Sequence, residues 1–270
     1  MTSNESPTAA SVLADLLAEQ KALDEIVSAL DDEQWDAPTA SDRWAVRDQI
    51  GHLTYFDQTA AWAIVDEDRF RESLAGLAPM LTGQLSPAAM DDLTLAEFRA
   101  MSPTDLLDAW RTNRATLAEA ASTLSDDTRV IWYGPSMGAK SFLTARLMEC
   151  WAHGQHIVDV VGGERRATDR LRHIAQLGFI TRKWTYLNRK IEMPAADVRV
   201  ELTAPSGEVW QFGPADAQES VIGSAEEFCL VVTQCRNVAA TGLSVDGDAA
   251  QDWMNKAQAF AGGATDGPAA

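Results

Sequence analysis

Through roughly the first 190 residues the apolar positions recur at helical spacing. Between Ala10 and Leu30, Val12, Leu13, Leu16, Leu17, Leu23, Ile26, Val27 and Leu30 fall on one stripe. Asp31 to Ser41, with Pro38, breaks that pattern. Ser41 or Asp42 can cap a second helix, which runs through His52 to about Val65. Residues 68–100 are less regular and read as an excursion with one short helix. Ser102-Pro103-Thr104 is a start signal, since proline tolerates the first helical position, and Leu106, Leu107, Trp110 and Leu117 follow it. Arg129 to Lys140, with Gly134-Pro135 and Gly138, reads as a loop. Ser141 is expected to open a long helix that Gly162-Gly163 stops, and a fifth helix covers about Thr168 to Lys190.

After Pro194 the period changes. Val198, Val200 and Leu202 alternate with polar residues, and Pro205-Ser206-Gly207 turns the chain into Glu208–Phe212, which predicts a hairpin. Ser224-Ala225-Glu226-Glu227 is a capping box ahead of an apolar helix. Leu243–Val245 reads as a short strand and Ala249–Phe260 as a last helix. The expected organisation is mainly α: a helical bundle over 1–192, a small α+β domain over 193–262, and a disordered tail over 263–270.

At 270 residues and 46% hydrophobic, the chain can bury a full core. Its net charge of −18, from 40 acidic and 22 basic residues, argues against nucleic acid or an anionic membrane surface as partner. The three cysteines (Cys150, Cys229, Cys235) form no CxxC, so neither a disulfide framework nor a thiolate zinc site is suggested. Met1-Thr-Ser-Asn-Glu-Ser-Pro7 has no basic region leading an apolar stretch, and no apolar run approaches 18 residues, so a soluble, cytoplasmic protein is expected.

Histidine is scarce, and its placement is informative. His52 lies on the second helix, while Glu149, His153 and His156 follow at i, i+4 and i+7 on the long helix, within one stripe. Imidazole and carboxylate groups from facing bundle helices suit zinc and its neighbours, and three protein ligands leave a position open for water or substrate. The alternative is a surface Glu149 and a hydrogen-bonded core His153. Cys150 should point about 100° away from Glu149 and read as a buried thiol. Asp57 reads as a helix-surface carboxylate. Trp44, Trp62, Trp110, Trp132, Trp151 and Trp184 read mostly as core filling, although Trp132 and Tyr133 could line a pocket mouth.

Trp44-Ala-Val-Arg-Asp-Gln-Ile-Gly-His52-Leu53 resembles the signature of the DinB-like, mycothiol-dependent maleylpyruvate isomerase superfamily, and Glu149-x-x-x-His153-Gly154 resembles its second half. Trp132-Tyr-Gly-Pro-Ser-Met137 and Arg146–Gln155 look closer still to an actinobacterial metal-binding branch. Glu226–Arg236, Gly242–Asp248 and Trp253 resemble the C-terminal domain, so the likeness spans essentially the whole chain. It implies that the bundle over 1–192 is a DinB-like four-helix bundle with His52, Glu149 and His153 as metal ligands. His156 falls where relatives more often carry another residue, which favours lining the mouth or supporting a ligand over direct ligation. Arg236 matches the stretch of a functionally required arginine, whose guanidinium would fork onto a substrate carboxylate. An arginine at a helix C-terminus also has a purely dipolar explanation. Cys235 stands where many relatives have glycine.

The resemblance implies a divalent metal, zinc first, that holds a low-molecular-weight thiol such as mycothiol as its thiolate. That thiolate would add to an electrophilic substrate, giving isomerisation or S-transfer. Two alternatives remain at this stage: a thiol-independent metal hydrolase, and a non-catalytic metal-binding or sensing protein in which His156 closes the site. A homodimer is compatible with the sequence, which does not set the oligomeric state.

Overall fold

Helix formation in the N-terminal part follows the apolar stripes closely, as described by a computed structural model covering residues 7–76, 86–133 and 136–269. The chain divides into two units, Met1–Glu164 and Arg165–Ala270. In the first, helix α1 (Ala9–Val27) is capped by the Thr8 hydroxyl, which accepts from the Ser11 amide. A single turn, α2 (Asp32–Trp35), precedes α3 (Val46–Val65), α4 (Glu67–Gly76), α5 (Pro87–Arg99) and α6 (Pro103–Ala121). The two-residue strands β1 (Arg129–Val130) and β2 (Met137–Gly138) pair antiparallel and lead into α7 (Ala139–Val161).

Helices α1, α3, α6 and α7 form a DinB-like four-helix bundle, with α3 packed on α6 and α7, α1 on α7, and α5 laid against α3. Leu23, Val27, Ile50, Leu53, Leu106, Trp110, Cys150 and Ile157 build a shared core. Gly51 lets α5 approach α3: a Cβ there would stand 3.1 Å from the Cβ of Phe98.

Local chemistry moves several expected boundaries. The second helix starts at Val46 rather than near Ser41, because residues 39–44 close into a tight loop. There the Thr39 amide donates to the Trp44 carbonyl (2.8 Å) and Arg43 takes a left-handed φ of 67°. The Ser41 hydroxyl accepts from Gln49, and Asp48 reaches back to accept from the N–H of the N-cap residue Ala45 at 2.9 Å. The long helix begins at Ala139, its first amide held by the Thr128 carbonyl (2.9 Å), and ends at Gly162 in the left-handed conformation. The irregular stretch after Val65 carries α4 and α5 rather than one short helix; residues 77–85 and the Gly134-Pro135 turn lie outside the described residues.

Two ionic networks, one buried and one half-buried, tie the bundle. Asp57, expected on the surface, is 2% exposed and receives Nε and a terminal nitrogen of Arg146 (3.3 and 2.9 Å) and Nε2 of Gln20 (3.1 Å). Burial pushes its carboxyl up, with Arg146 pulling against it. Between α1 and α6, Asp24 accepts from Arg111 and Arg114 and from Ser28. Burial raises the Asp24 carboxyl, but those hydrogen bonds and the two guanidinium charges outweigh it and bring it down to about 2.

The second unit begins earlier than the period change at Pro194 suggests. Helices α8 (Leu171–Ile180) and α9 (Arg182–Arg189) divide at Thr181, whose hydroxyl bonds back to the Leu177 carbonyl at 2.8 Å. Both fall in the unit that carries the sheet, Arg165–Ala270, whereas the change of period places the expected boundary at 192–193. The reason is burial: Leu171, Ile174 and Ala175 need an apolar partner, and α10 (Ala225–Val232) supplies it. The sheet runs β4 (Val209–Phe212), β3 (Val198–Thr203), β5 (Glu219–Ser224), β6 (Ser244–Asp246), with the expected β3–β4 hairpin antiparallel and β3–β5 parallel. The last helix is α11 (Asp248–Lys256). The described part of the tail is not loose. Gln234 and Asn237 donate to the carbonyls of Thr265 (2.8 Å) and Pro268 (2.9 Å), and Gln258 to that of Gly263 (3.0 Å). No described helix is long and apolar enough to cross a membrane.

Removing one member of the Asp57–Arg146 pair strands a buried charge, at a cost of about 3–5 kcal/mol. Arg146→Met is expected to lower urea stability by that order, and Asp57→Leu/Arg146→Met to recover most of it; equal stability of the single variant and wild type contradicts the assignment. Asp24 gives a pH signature. Its carboxyl is depressed in the folded state from an ordinary 3.8 to about 2, so its stabilisation is present above pH ~4 and is lost as pH falls towards ~2. The contribution is about 2 kcal/mol. Asp24→Asn should flatten the acid limb of stability in that window, measured by thermal unfolding.

Candidate metal centre

Helices α3 and α7 run antiparallel, and three polar contacts cross between them in reverse order: Gln49 with His153, His52 with Glu149, and Asp57 with Arg146. On α7 the i, i+4 spacing sets the Glu149 carboxylate beside His153. Nε2 of His52 and Nε2 of His153 each lie 3.2 Å from the same oxygen, Oε2 of Glu149. Among the described residues these three form a group whose potential ligand atoms lie within 4.8 Å of one another. Their side chains keep 17, 23 and 15% of their surface for His52, Glu149 and His153, so the group is partly exposed.

The donor set and spacing suit a divalent cation. Two ligand atoms at about 2.0–2.1 Å from a tetrahedral zinc stand about 3.3 Å apart, which the 3.2 Å contacts match. The protonation pattern points the same way. Burial works to raise the Glu149 carboxyl, but the hydrogen bonds and charges of His153 and His52 hold it well below the carboxylate range. His153 is brought down to about 4 by burial first, then by His52 and Arg146, against the pull of Glu149. Near neutral pH an ionised carboxylate therefore faces a neutral imidazole. Nδ1 of that imidazole lies against Oε1 of Gln49.

Aromatic rings wall the group. Trp44 stacks against His153 (centroids 5.8 Å, 23°) and leans on His52 (5.2 Å), while Phe56 lies 4.5 Å from His52. Tyr133 packs on Phe56 at 5.4 Å, and Trp132 stacks on Phe70 at 5.6 Å. Trp44 is thus part of the site rather than core filling. Its indole N–H donates to Asp91 (3.1 Å), which also receives Nε of Arg43 (3.0 Å).

His156 lies outside the three-residue group, its ring 6.4 Å from that of His153. Cys150 is buried in the bundle core. Arg236 belongs to the second unit, four residues past the end of α10. Gln234 there takes a left-handed φ of 60°, and the Cys235 and Arg236 amides turn back to the Leu230 carbonyl (2.8 and 3.1 Å). Arg236 lines a cavity of about 190 Å³ with Gln234, Asn237, Asn255 and residues of the tail, and donates to the Cys235 carbonyl at 2.7 Å. Sequence reasoning missed Gln49, although it sits three residues before His52 on the same helix face.

The family model described as the mycothiol maleylpyruvate isomerase N-terminal domain matches residues 16–157. Two uncharacterised proteins of Mycobacterium tuberculosis, from strains CDC 1551 / Oshkosh and ATCC 25618 / H37Rv, are each 42% identical over 250 residues, covering 93% of this chain and 95% of theirs. Among solved structures, the mycothiol-dependent maleylpyruvate isomerase and a histidine-to-alanine mutant of it share the fold, with TM-scores of 0.55 and 0.56. They are 19% identical, and the match covers 88% of this chain and 92% of theirs. With matches of this extent, the chain belongs to the mycothiol maleylpyruvate isomerase N-terminal domain family.

Proposed function

We propose that the protein is a divalent-metal-dependent enzyme, with zinc as the metal, that uses a low-molecular-weight thiol to isomerise an electrophilic substrate or to transfer the thiol's sulfur onto it as an S-conjugate. The observation that carries this reading is the convergence of two imidazole Nε2 atoms on one oxygen of Glu149 at a partly exposed site. His52, Glu149 and His153 would hold the cation, and its chemistry there is to lower a thiol's pKa from about 8.5 towards neutrality. Mycothiol is favoured as the thiol because the solved relatives are named for it.

The remaining roles fall to groups of the chain itself. Trp44 and Phe56 exclude water from one side of the imidazoles and keep their planes in place. The sulfur adds to the electrophilic carbon of a conjugated double bond, forming a C–S bond while the π electrons move to the activating carbonyl. Rotation and loss of the same sulfur complete an isomerisation, and protonation of the adduct instead leaves a thioether. Neither route needs another reactant. Arg236 is proposed to receive a substrate carboxylate through its guanidinium. The position of His156 outside the group supports an open site over a closed sensing one.

Purified protein should carry about one metal per chain by elemental analysis, as a single three-ligand site requires. That metal should be lost in His52→Ala, Glu149→Ala and His153→Ala and kept in His156→Ala; loss in His156→Ala as well would favour a closed site. With metal loaded, turnover of a maleylpyruvate-type substrate should require mycothiol, and Arg236→Ala should raise KM about tenfold or more for carboxylate substrates with kcat held. Hydrolysis of esters or amides without any thiol would sink the proposal.

A further inference from the structure

We infer that Gln49 is a positioning residue that sets the tautomer of His153, and that the loop hydroxyls of Thr39 and Ser41 in turn set Gln49. This rests on the reading of His52, Glu149 and His153 as a metal centre. Gln49 is completely buried on α3, so its amide cannot turn to solvent for partners. A side-chain amide can face an imidazole with its oxygen or its nitrogen, and the two choices demand opposite tautomers.

The loop decides between them. The Thr39 hydroxyl donates to the Trp44 carbonyl at 2.9 Å, so its oxygen is left to accept. Nε2 of Gln49 donates to that oxygen at 2.8 Å and to the Ser41 hydroxyl at 3.1 Å, which uses both amide protons. Oε1 is therefore the atom that meets Nδ1 of His153. A carbonyl oxygen only accepts, so Nδ1 carries the proton and Nε2 keeps its lone pair. Nε2 is the atom 3.2 Å from Oε2 of Glu149. A reversed amide would put the proton on Nε2, between the imidazole and the carboxylate, and block the lone pair a metal takes.

The loop that makes this choice is closed by the Thr39–Trp44 backbone bond and by Arg43 in the left-handed region, and Trp44 stacks on the same imidazole from another side. Because Gln49 is neutral where a carboxylate would also accept the proton, the centre carries no second fixed negative charge from this position. It thereby stays receptive to an anionic sulfur ligand.

The test combines a tautomer measurement with metal affinity. In metal-free protein labelled with 15N-histidine, His153 should show a protonated Nδ1 and an acceptor Nε2 at neutral pH. Gln49→Leu should shift His153 towards the other tautomer and weaken Zn2+ and Co2+ binding about 10–100-fold by chelator competition. Gln49→Glu, which keeps the acceptor, should restore affinity, a rescue that a packing role would not give. Thr39→Val/Ser41→Ala leaves Gln49 in place but frees its amide, and should lose affinity and tautomer purity together, deciding the matter if Gln49→Leu fails to fold. Wild-type His153 protonated at Nε2, or Gln49→Leu binding Co2+ within twofold of wild type, would overturn the inference while leaving the metal centre standing. Failure of wild type to bind either ion would overturn the metal reading and this inference with it.

Discussion

The buried Asp57–Arg146 ion pair fixes how α3 and α7 lie against each other, and the candidate centre depends on that register. A carboxylate and a guanidinium removed from water have few acceptable arrangements, since either one left unpaired costs several kcal/mol. Asp57 lies five residues beyond His52, and Arg146 lies three residues before Glu149. With the ion pair formed, antiparallel packing carries His52 to Glu149 and Gln49 to His153. A slip of one helical turn, about 5.4 Å, would break the ion pair and part the imidazole from its carboxylate together. Apolar packing alone tolerates such slips better than a directional, desolvated pair does.

Around this register the site is built from groups with no slack. Gln20 supports Asp57 from α1, Asp91 holds the Trp44 indole from α5, and the 39–44 loop holds Gln49. Helices α1 and α5 and the 39–44 loop thus each contribute a polar contact to a buried or half-buried partner near the site. Low local dielectric strengthens such contacts when they are satisfied and penalises them when they are not. The left-handed Arg43 is the one visible backbone concession near the site, and its side chain recovers an ion pair with Asp91 at 2.9 Å. The rings of Trp44 and Phe56 then supply an apolar wall beside the imidazoles of His52 and His153.

The sequence by itself determined the helical class of the first part, because stripes at 3.6 spacing have no other way to bury their apolar faces. It determined the hairpin and Ser224 cap of the second part through period-2 alternation and turn residues, and it paired Glu149 with His153, since i, i+4 spacing is a property of one helix, while His52 joined them through the resemblance of Trp44–Leu53. Only the tertiary structure decided what depends on which helices meet. Asp57 reads as a surface carboxylate until Arg146 faces it, Trp44 as core until it stacks on two imidazoles, and Gln49 as an ordinary amide until a loop uses both its protons. Residues 165–192 carry a helical pattern that says nothing of the unit they join; the apolar face of α10 claims them. The small, polar tail reads as loose until Gln234, Asn237 and Gln258 take its carbonyls. The missing information is the partner's identity, which local periodicity does not encode because the partner sits on another element or loop and is selected by burial.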